Sequence, residues 1–357
     1  MNARHLAASS LFVLVAACGG SPDGTEDTTA ADLSHQNVKV TRTDLVSDQA
    51  GAHTLDTNVV NAWGISFNPA GPAWVSNNGT GTTTVYDATG KLLLTVDIAK
   101  APSQTEVSPT GQVFNPTTGF HGDKFIIADE KGSIAGWQPN GGAVTRVDST
   151  AAGAAYKGLA IAGDHILAAD FHNGKVDVFD SSYAPVSHAG FVDATLPAGY
   201  APYNVQTLDG KVYIAYAKQD AERHDDVAGV GNGYVDVFEQ SGVLIGRVAS
   251  RGSLNAPWAL AIAPASFGAF AGKLLVGNFG DGQVQAFDVA FQSSGGGYGS
   301  TKATTVHARA LGHLLGSSGK TLVVDGLWAL ATSPQGELWF SAGPAGESHG
   351  VLGKLLP

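Results

Sequence analysis

Three stretches of the chain carry one pattern of apolar and polar positions. ADFHNGKVDVFD (169–180), GNFGDGQVQAFD (277–288) and SNNGTGTTTVYD (76–87) each leave an apolar strand, cross a polar glycine-containing turn and enter an alternating strand that ends in Asp. Alternation with period two predicts β-strands with one covered face. The pattern extends over the whole chain. An apolar first strand recurs as AWGISF (62–67), GQVF (111–114), KGLAIA (157–162), YNVQTL (203–208), PWALAIA (257–263) and LWALAT (327–332). A second strand follows each: PAWVSN (72–77), KFIIAD (124–129), HILAAD (165–170), KVYIAY (211–216), KLLVGN (273–278) and ELWFSA (337–342). Equivalent first-strand positions (Ile65, Val113, Leu159, Val205, Leu260, Leu330) are 48, 46, 46, 55 and 70 residues apart. A period just under fifty, stretched only by polar or glycine-rich inserts, predicts an all-β, six-bladed β-propeller.

Outer, fourth strands are predicted at LLLTVDI (92–98) and VLIGRVA (243–249), after glycine-bearing turns. The sixth repeat ends at its third strand, whereas NVKVTRTDL (37–45) precedes the first repeat without a partner. The expectation is a ring closed by this N-terminal strand, which removes two open ladder edges at once. The propeller then occupies 37–357. Asp180 and Asp288, at the ends of the repeated third strands, read as turn formers.

In a propeller, the loops entering the first strands and leaving the second strands surround one mouth of the central channel. Trp63, Lys157, Tyr203, Trp258 and Trp328 fall there and are the expected ligand-binding residues, an aromatic wall with convergent polar groups. Asn61, Glu130, Asn204, Asn255 and Asp325 supply the oxygens a hard cation such as Ca²⁺ takes. Asp170 and His172 are candidate acid–base groups should the channel house a hydrolase or lyase. Asn78 and Glu347 lie on the outgoing loops of the same face. The competing reading is structural: Asp and Asn at strand ends bond nearby backbone N–H groups, and the tryptophans wedge between blades. The insert AKQDAERHDDVAGVGNG (217–233) reads as a solvated acidic loop, or else as a lid or cation site over the channel, and SSGGGYGS (293–300) as a flexible connection.

Composition narrows the classes. Forty-seven glycines and only 14% charged residues among 357 suit a turn-rich β protein. A net charge of −11 leaves no basic face for nucleic acid. There is no HExxH, no GxSxG, and no glycine-rich loop that opens a helix. Cys18 is the lone cysteine, so no intrachain disulfide forms. It closes LVAAC after a short apolar run, which resembles a bacterial lipobox: residues 1–17 read as a lipoprotein signal peptide, Cys18 as the lipidation site and 18–36 as a flexible tether. That predicts a membrane-attached protein of the cell envelope, at the outer membrane where there are two, or a secreted one.

Several phrases, among them AWGISF, ADFHNG, LPAGYAPYNVQ, LNAPWALAIAP and GNFGDG, resemble an uncharacterised family of secreted bacterial β-propellers, some with exosortase-type sorting signals. The resemblance runs from about Asn58 to Pro357 and implies a propeller without naming an activity. More distantly, the repeat is similar to NHL-type and gluconolactonase-type propellers, which implies an acidic cation site in the channel and lactone hydrolysis. Two functions follow: a lipid-anchored module binding a small molecule, glycan or protein, or a cation-dependent, lactonase-like hydrolase or lyase, with Ca²⁺ the candidate cofactor.

Overall fold

The computed structural model describes residues 37–69, 71–293 and 304–357. The signal peptide, the tether, Cys18 and most of the 293–300 insert lie outside them. Six sheets follow one another along the chain, each built on a short antiparallel meander. Blade 1 comprises Ala62–Phe67, Ala73–Asn77, Thr82–Tyr86 and Leu92–Asp97. Blade 2 comprises Pro109–Phe114, Phe125–Asp129, Ser133–Trp137 and Val144–Asp148. Blade 3 comprises Tyr156–Ala162, His165–Asp170, Lys175–Phe179 and a two-residue outer strand, Pro185–Val186. Blade 4 comprises Tyr200–Leu208, Lys211–Lys218, Gly233–Phe238 and Leu244–Ser250. Blade 5 comprises Pro257–Ile262, Leu274–Asn278, Val284–Ser293 and Thr304–Leu315. Blade 6 has only three strands of its own, Leu327–Thr332, Leu338–Ala342 and Val351–Leu356. Small residues in the first and second strands let neighbouring blades pack closely, and the core is a set of apolar clusters between blades.

The N-terminal segment closes the ring, and it serves two blades. Thr41–Ser47 pairs antiparallel with Val351–Leu356 as the fourth strand of blade 6. Val38–Lys39, expected as part of the same strand, instead pairs parallel with Leu314 and Leu315 at the outer edge of blade 5. The switch falls at Val40, whose N–H still donates to Leu315 O and whose side chain is buried. One extended segment thus fastens blades 5 and 6 together.

A second regularity decides where the site lies. In every blade the ladder between the first and second strand slips near the start of the first strand. The extra residues at these bulges include Trp63, Thr110, Lys157, Tyr203, Trp258 and Trp328. A bulge leaves a residue out of the alternation and re-aims its side chain. Five of these six side chains, from blades 1, 3, 4, 5 and 6, meet one another, which a ring permits only at its axis. Beside the bulges the first strands are in backbone contact: a Cβ on Gly111 would lie 2.5 Å from Leu159 N, and one on Gly158 2.7 Å from Asn204 Cα.

Candidate functional site

The bulge residues plug the channel. The Trp63 and Trp328 rings stack at 3.4 Å, and Trp258 meets both edge-on at 6.0 and 5.9 Å. Phe279 stacks on Trp328 from the far side at 4.0 Å, and Tyr203 lies 6.0 Å away. Trp328 Nε1 donates to Asn61 Oδ1 (2.8 Å) and Trp258 Nε1 to Lys157 O (3.1 Å). Trp63 Nε1 is buried and has no acceptor among the described residues. On one side of the plug the channel opens as a cavity of about 510 Å³, lined by Phe67, Val113, Phe114, Leu208 and Ile262 among others.

On the other side stands a charged network. Lys157 lies with its Nζ 5.4 Å from the centre of the Trp63 ring, a cation–π arrangement. Its side chain is 2% exposed, and it bonds to the Glu130 carboxylate and to Asp225 Oδ1 (3.3 Å). Glu130 also accepts from Asn78 Nδ2 (3.0 Å), Asn78 Oδ1 from Asn61 Nδ2 (3.2 Å), and Asn61 Nδ2 donates again to Glu347 Oε2 (2.6 Å). The network therefore runs from blade 3 through blades 2 and 1 to blade 6. Burial works against both charges, yet their pairing wins: Glu130 is held below the usual glutamate range and Lys157 above the usual lysine range. Glu347 and Asp226, half-buried close by, are pushed up by desolvation.

The remaining members come from the 219–232 insert between the second and third strands of blade 4. It is pinned at its base by Gln219, which donates to Phe171 O of blade 3, and by Gly229 N, which donates to Asn255 Oδ1 (2.6 Å) of blade 5. A bridge between Gln219 and Asp226 folds it back on itself, and Arg223 turns its tip with φ 58°. The tip holds His224 and Asp225 against the mouth, His224 Nδ1 lying 2.9 Å from Asp225 Oδ1. That contact holds His224 above its usual range and Asp225 well below its own. Tyr203 OH donates to Asp226 Oδ1 (2.7 Å). Of the two readings of this insert, the structure has it lying over the channel mouth.

The residues singled out from the sequence divide cleanly. Trp63, Lys157, Tyr203, Trp258 and Trp328 are brought together at the axis, all of them buried. Of the five cation candidates, Asn61 and Glu130 are joined through Asn78. Asn204 is spent on its own Val205 N (2.8 Å) and on Trp258 O (2.7 Å), Asn255 on Gly229 N and Asp281 (3.2 Å), and Asp325 on Ala345 N (2.9 Å). The structure thus joins two of the five and gives the other three separate partners. The carboxylates and imidazole of Glu130, His224 and Asp225 do lie within 4.8 Å of one another, but the Lys157 ammonium already bonds two of the three. Asp170 accepts from Ala155 N (3.1 Å) and Asn173 N (3.2 Å), much as Asp129 accepts from Ser108 N (2.6 Å) and Lys131 N (2.7 Å) one blade earlier. His172, half-buried, follows it at the rim. His224, Asp225 and Asp226 were not named singly; the signal for them is the acidic insert 217–233, read as a lid or cation site in its second alternative, which stretches the fourth spacing of the repeat.

The fold and the plugged, charged mouth define a six-bladed β-propeller with one elaborated channel face. The chain belongs to the family of Uncharacterized protein R648 of Acanthamoeba polyphaga mimivirus, 31% identical over 333 residues, which span 87% of this chain and 78% of that one. It is also similar to Uncharacterized protein L690 of the same virus (32%, spanning 84% and 81%). These relatives are viral; none of them is one of the secreted bacterial propellers the sequence resembles. No known family profile matches the chain. Among solved structures it is similar in fold to a catalytically inactive virginiamycin B lyase from Staphylococcus aureus with quinupristin (TM-score 0.51, 11% identity, 90% of this chain and 100% of that one). A glucose dehydrogenase is comparable (0.50, 13%, 88% and 99%). At such identities the likeness shows the propeller fold alone.

Proposed function

We propose that the protein is a ligand-binding propeller whose site is the insert-covered mouth, with Lys157 as its fixed cation and the face of Trp63 as its floor. Lys157 itself carries this reading. A buried ion pair is a poor way to stabilise a fold, because desolvation consumes much of the attraction. What it does provide is a charge held at one place, here at the axis and above an indole whose N–H lacks an acceptor among the described residues. A cation with a displaceable partner, over a ring with an unmet donor, suits a ligand that offers oxygen acceptors.

A second reading, hydrolase or lyase chemistry in the same channel, is favoured by the His224–Asp225 contact beside Glu130, an acid–base pair facing the same ammonium. Asp170 and His172 remain rim candidates for it. Both readings are tested by titrating residues 37–357 with a small-molecule collection while following tryptophan fluorescence, then assaying each hit for turnover. Binding lost in the Lys157→Met/Glu130→Gln double variant supports the mouth; binding retained there contradicts it. Product formation separates enzyme from binding module.

On the LVAAC motif alone we also propose that Cys18 is lipidated and that the chain is attached to a membrane of the cell envelope. Expression of the full chain in a bacterial host, with and without Cys18→Ser, tests this: wild type is expected in the membrane fraction and the variant released from it.

A further inference from the structure

We infer that Asp225 occupies the seat of a ligand carboxylate, and that the mouth takes small monocarboxylates in its place. This rests on the reading of the mouth as a ligand site. The two carboxylates on Lys157 differ in kind. Glu130 belongs to the rim of blade 2, is 12% exposed, and is also held by Asn78. Asp225 is 67% exposed, sits at the tip of an insert, and takes a longer bond of 3.3 Å. Its other side-chain partner, His224, is its neighbour on the same insert and can leave with it. Asp225 is thus the displaceable partner, and what displaces it meets a lysine N–H already directed at a carboxylate oxygen.

A free carboxylate offers what Asp225 leaves unmet. One of its oxygens replaces Asp225 Oδ1 on Lys157, while Trp63 Nε1, 1% exposed and without an acceptor among the described residues, marks a second unmet donor on the ring that this lysine overlies. Charge restricts the class further. Glu130, Glu347, Asp225 and Asp226 surround Lys157 and His224, so the mouth already carries more carboxylates than cations. Exchanging Asp225 for a monocarboxylate leaves that balance unchanged, whereas a phosphate dianion adds negative charge to a desolvated site. The insert then acts as a tethered competitor, and its local concentration sets how much free carboxylate is needed to displace it.

The test is calorimetric titration of residues 37–357 with sodium benzoate, sodium lactate, neutral benzamide and inorganic phosphate. Wild type, Asp225→Asn and Lys157→Met/Glu130→Gln are compared, with folding checked by circular dichroism. Asp225→Asn keeps the volume and the contact with His224 but removes the competing charge. It is expected to bind benzoate or lactate about tenfold more tightly than wild type, with a much smaller gain for phosphate, none for benzamide and no binding by the double variant. Equal carboxylate affinity in wild type and Asp225→Asn overturns the exchange, as does an equal gain for phosphate. If that binding still needs Lys157, the mouth remains the ligand site and only the role of Asp225 falls. If carboxylates bind the double variant as well as wild type, both fall.

Discussion

At the scale of single residues, Lys157 is the fixed charge on which the mouth is built. Replacing it alone by Met leaves Glu130 buried without a counter-charge, a change that costs about 3–5 kcal/mol. The Lys157→Met/Glu130→Gln double variant removes both charges and is expected to recover most of that loss, measured by urea unfolding. The pair also fixes a pH signature. Folding lowers the Glu130 pKa from the ordinary 4.5, so its contribution is whole above that pH and is lost as pH falls through the folded value. The stability gap between the double variant and wild type should hold steady above about pH 5 and narrow in acid; a gap independent of pH contradicts the pairing. Lys157 and its aromatic neighbours were legible because they recur at one position of a visible repeat. His224 and Asp225 were not, because an insert has no counterpart in other blades and only the folded loop shows what its tip touches.

At the scale of elements, the strands were legible to within a few residues, since alternation and glycine-bearing turns are local signals. The bulges were not. One extra residue per first strand leaves the apolar pattern readable while shifting which side chain faces the axis, and it is this shift that assembles the site. The close approach of the first strands predicts that Gly111→Ala, whose Cβ would lie 2.5 Å from Leu159 N, destabilises by about 1–3 kcal/mol. Gly141→Ala, with nothing within 4 Å, should leave the melting temperature almost unchanged. The division of the N-terminal segment between two blades was hidden for another reason: a two-residue parallel bridge leaves no periodic trace. A chain starting at residue 37 is expected to melt as the longer chain does. One starting at residue 48 loses the fourth strand of blade 6 and the edge strand of blade 5, and should aggregate or unfold; a cooperative melt at the same temperature would refute that closure.

At the scale of the whole molecule, the ring places two unlike mouths on either side of one tryptophan plug. One is charged and covered by the blade 4 insert; the other opens on a cavity of about 510 Å³ with mixed polar and apolar walls. The fold was legible from the period, whereas the asymmetry between the faces was not, because it depends on which side of the plug each bulge aims its side chain. The most direct measurement is hydrogen–deuterium exchange of residues 37–357 with and without a bound ligand from the fluorescence titration. Ligand binding at the covered mouth is expected to change exchange in the insert (219–232) and around residues 129–131 and 156–159, leaving the far mouth as it was. Protection confined to 112–116 and 206–209, with the insert unaffected, would contradict it and assign the site to the other end of the channel.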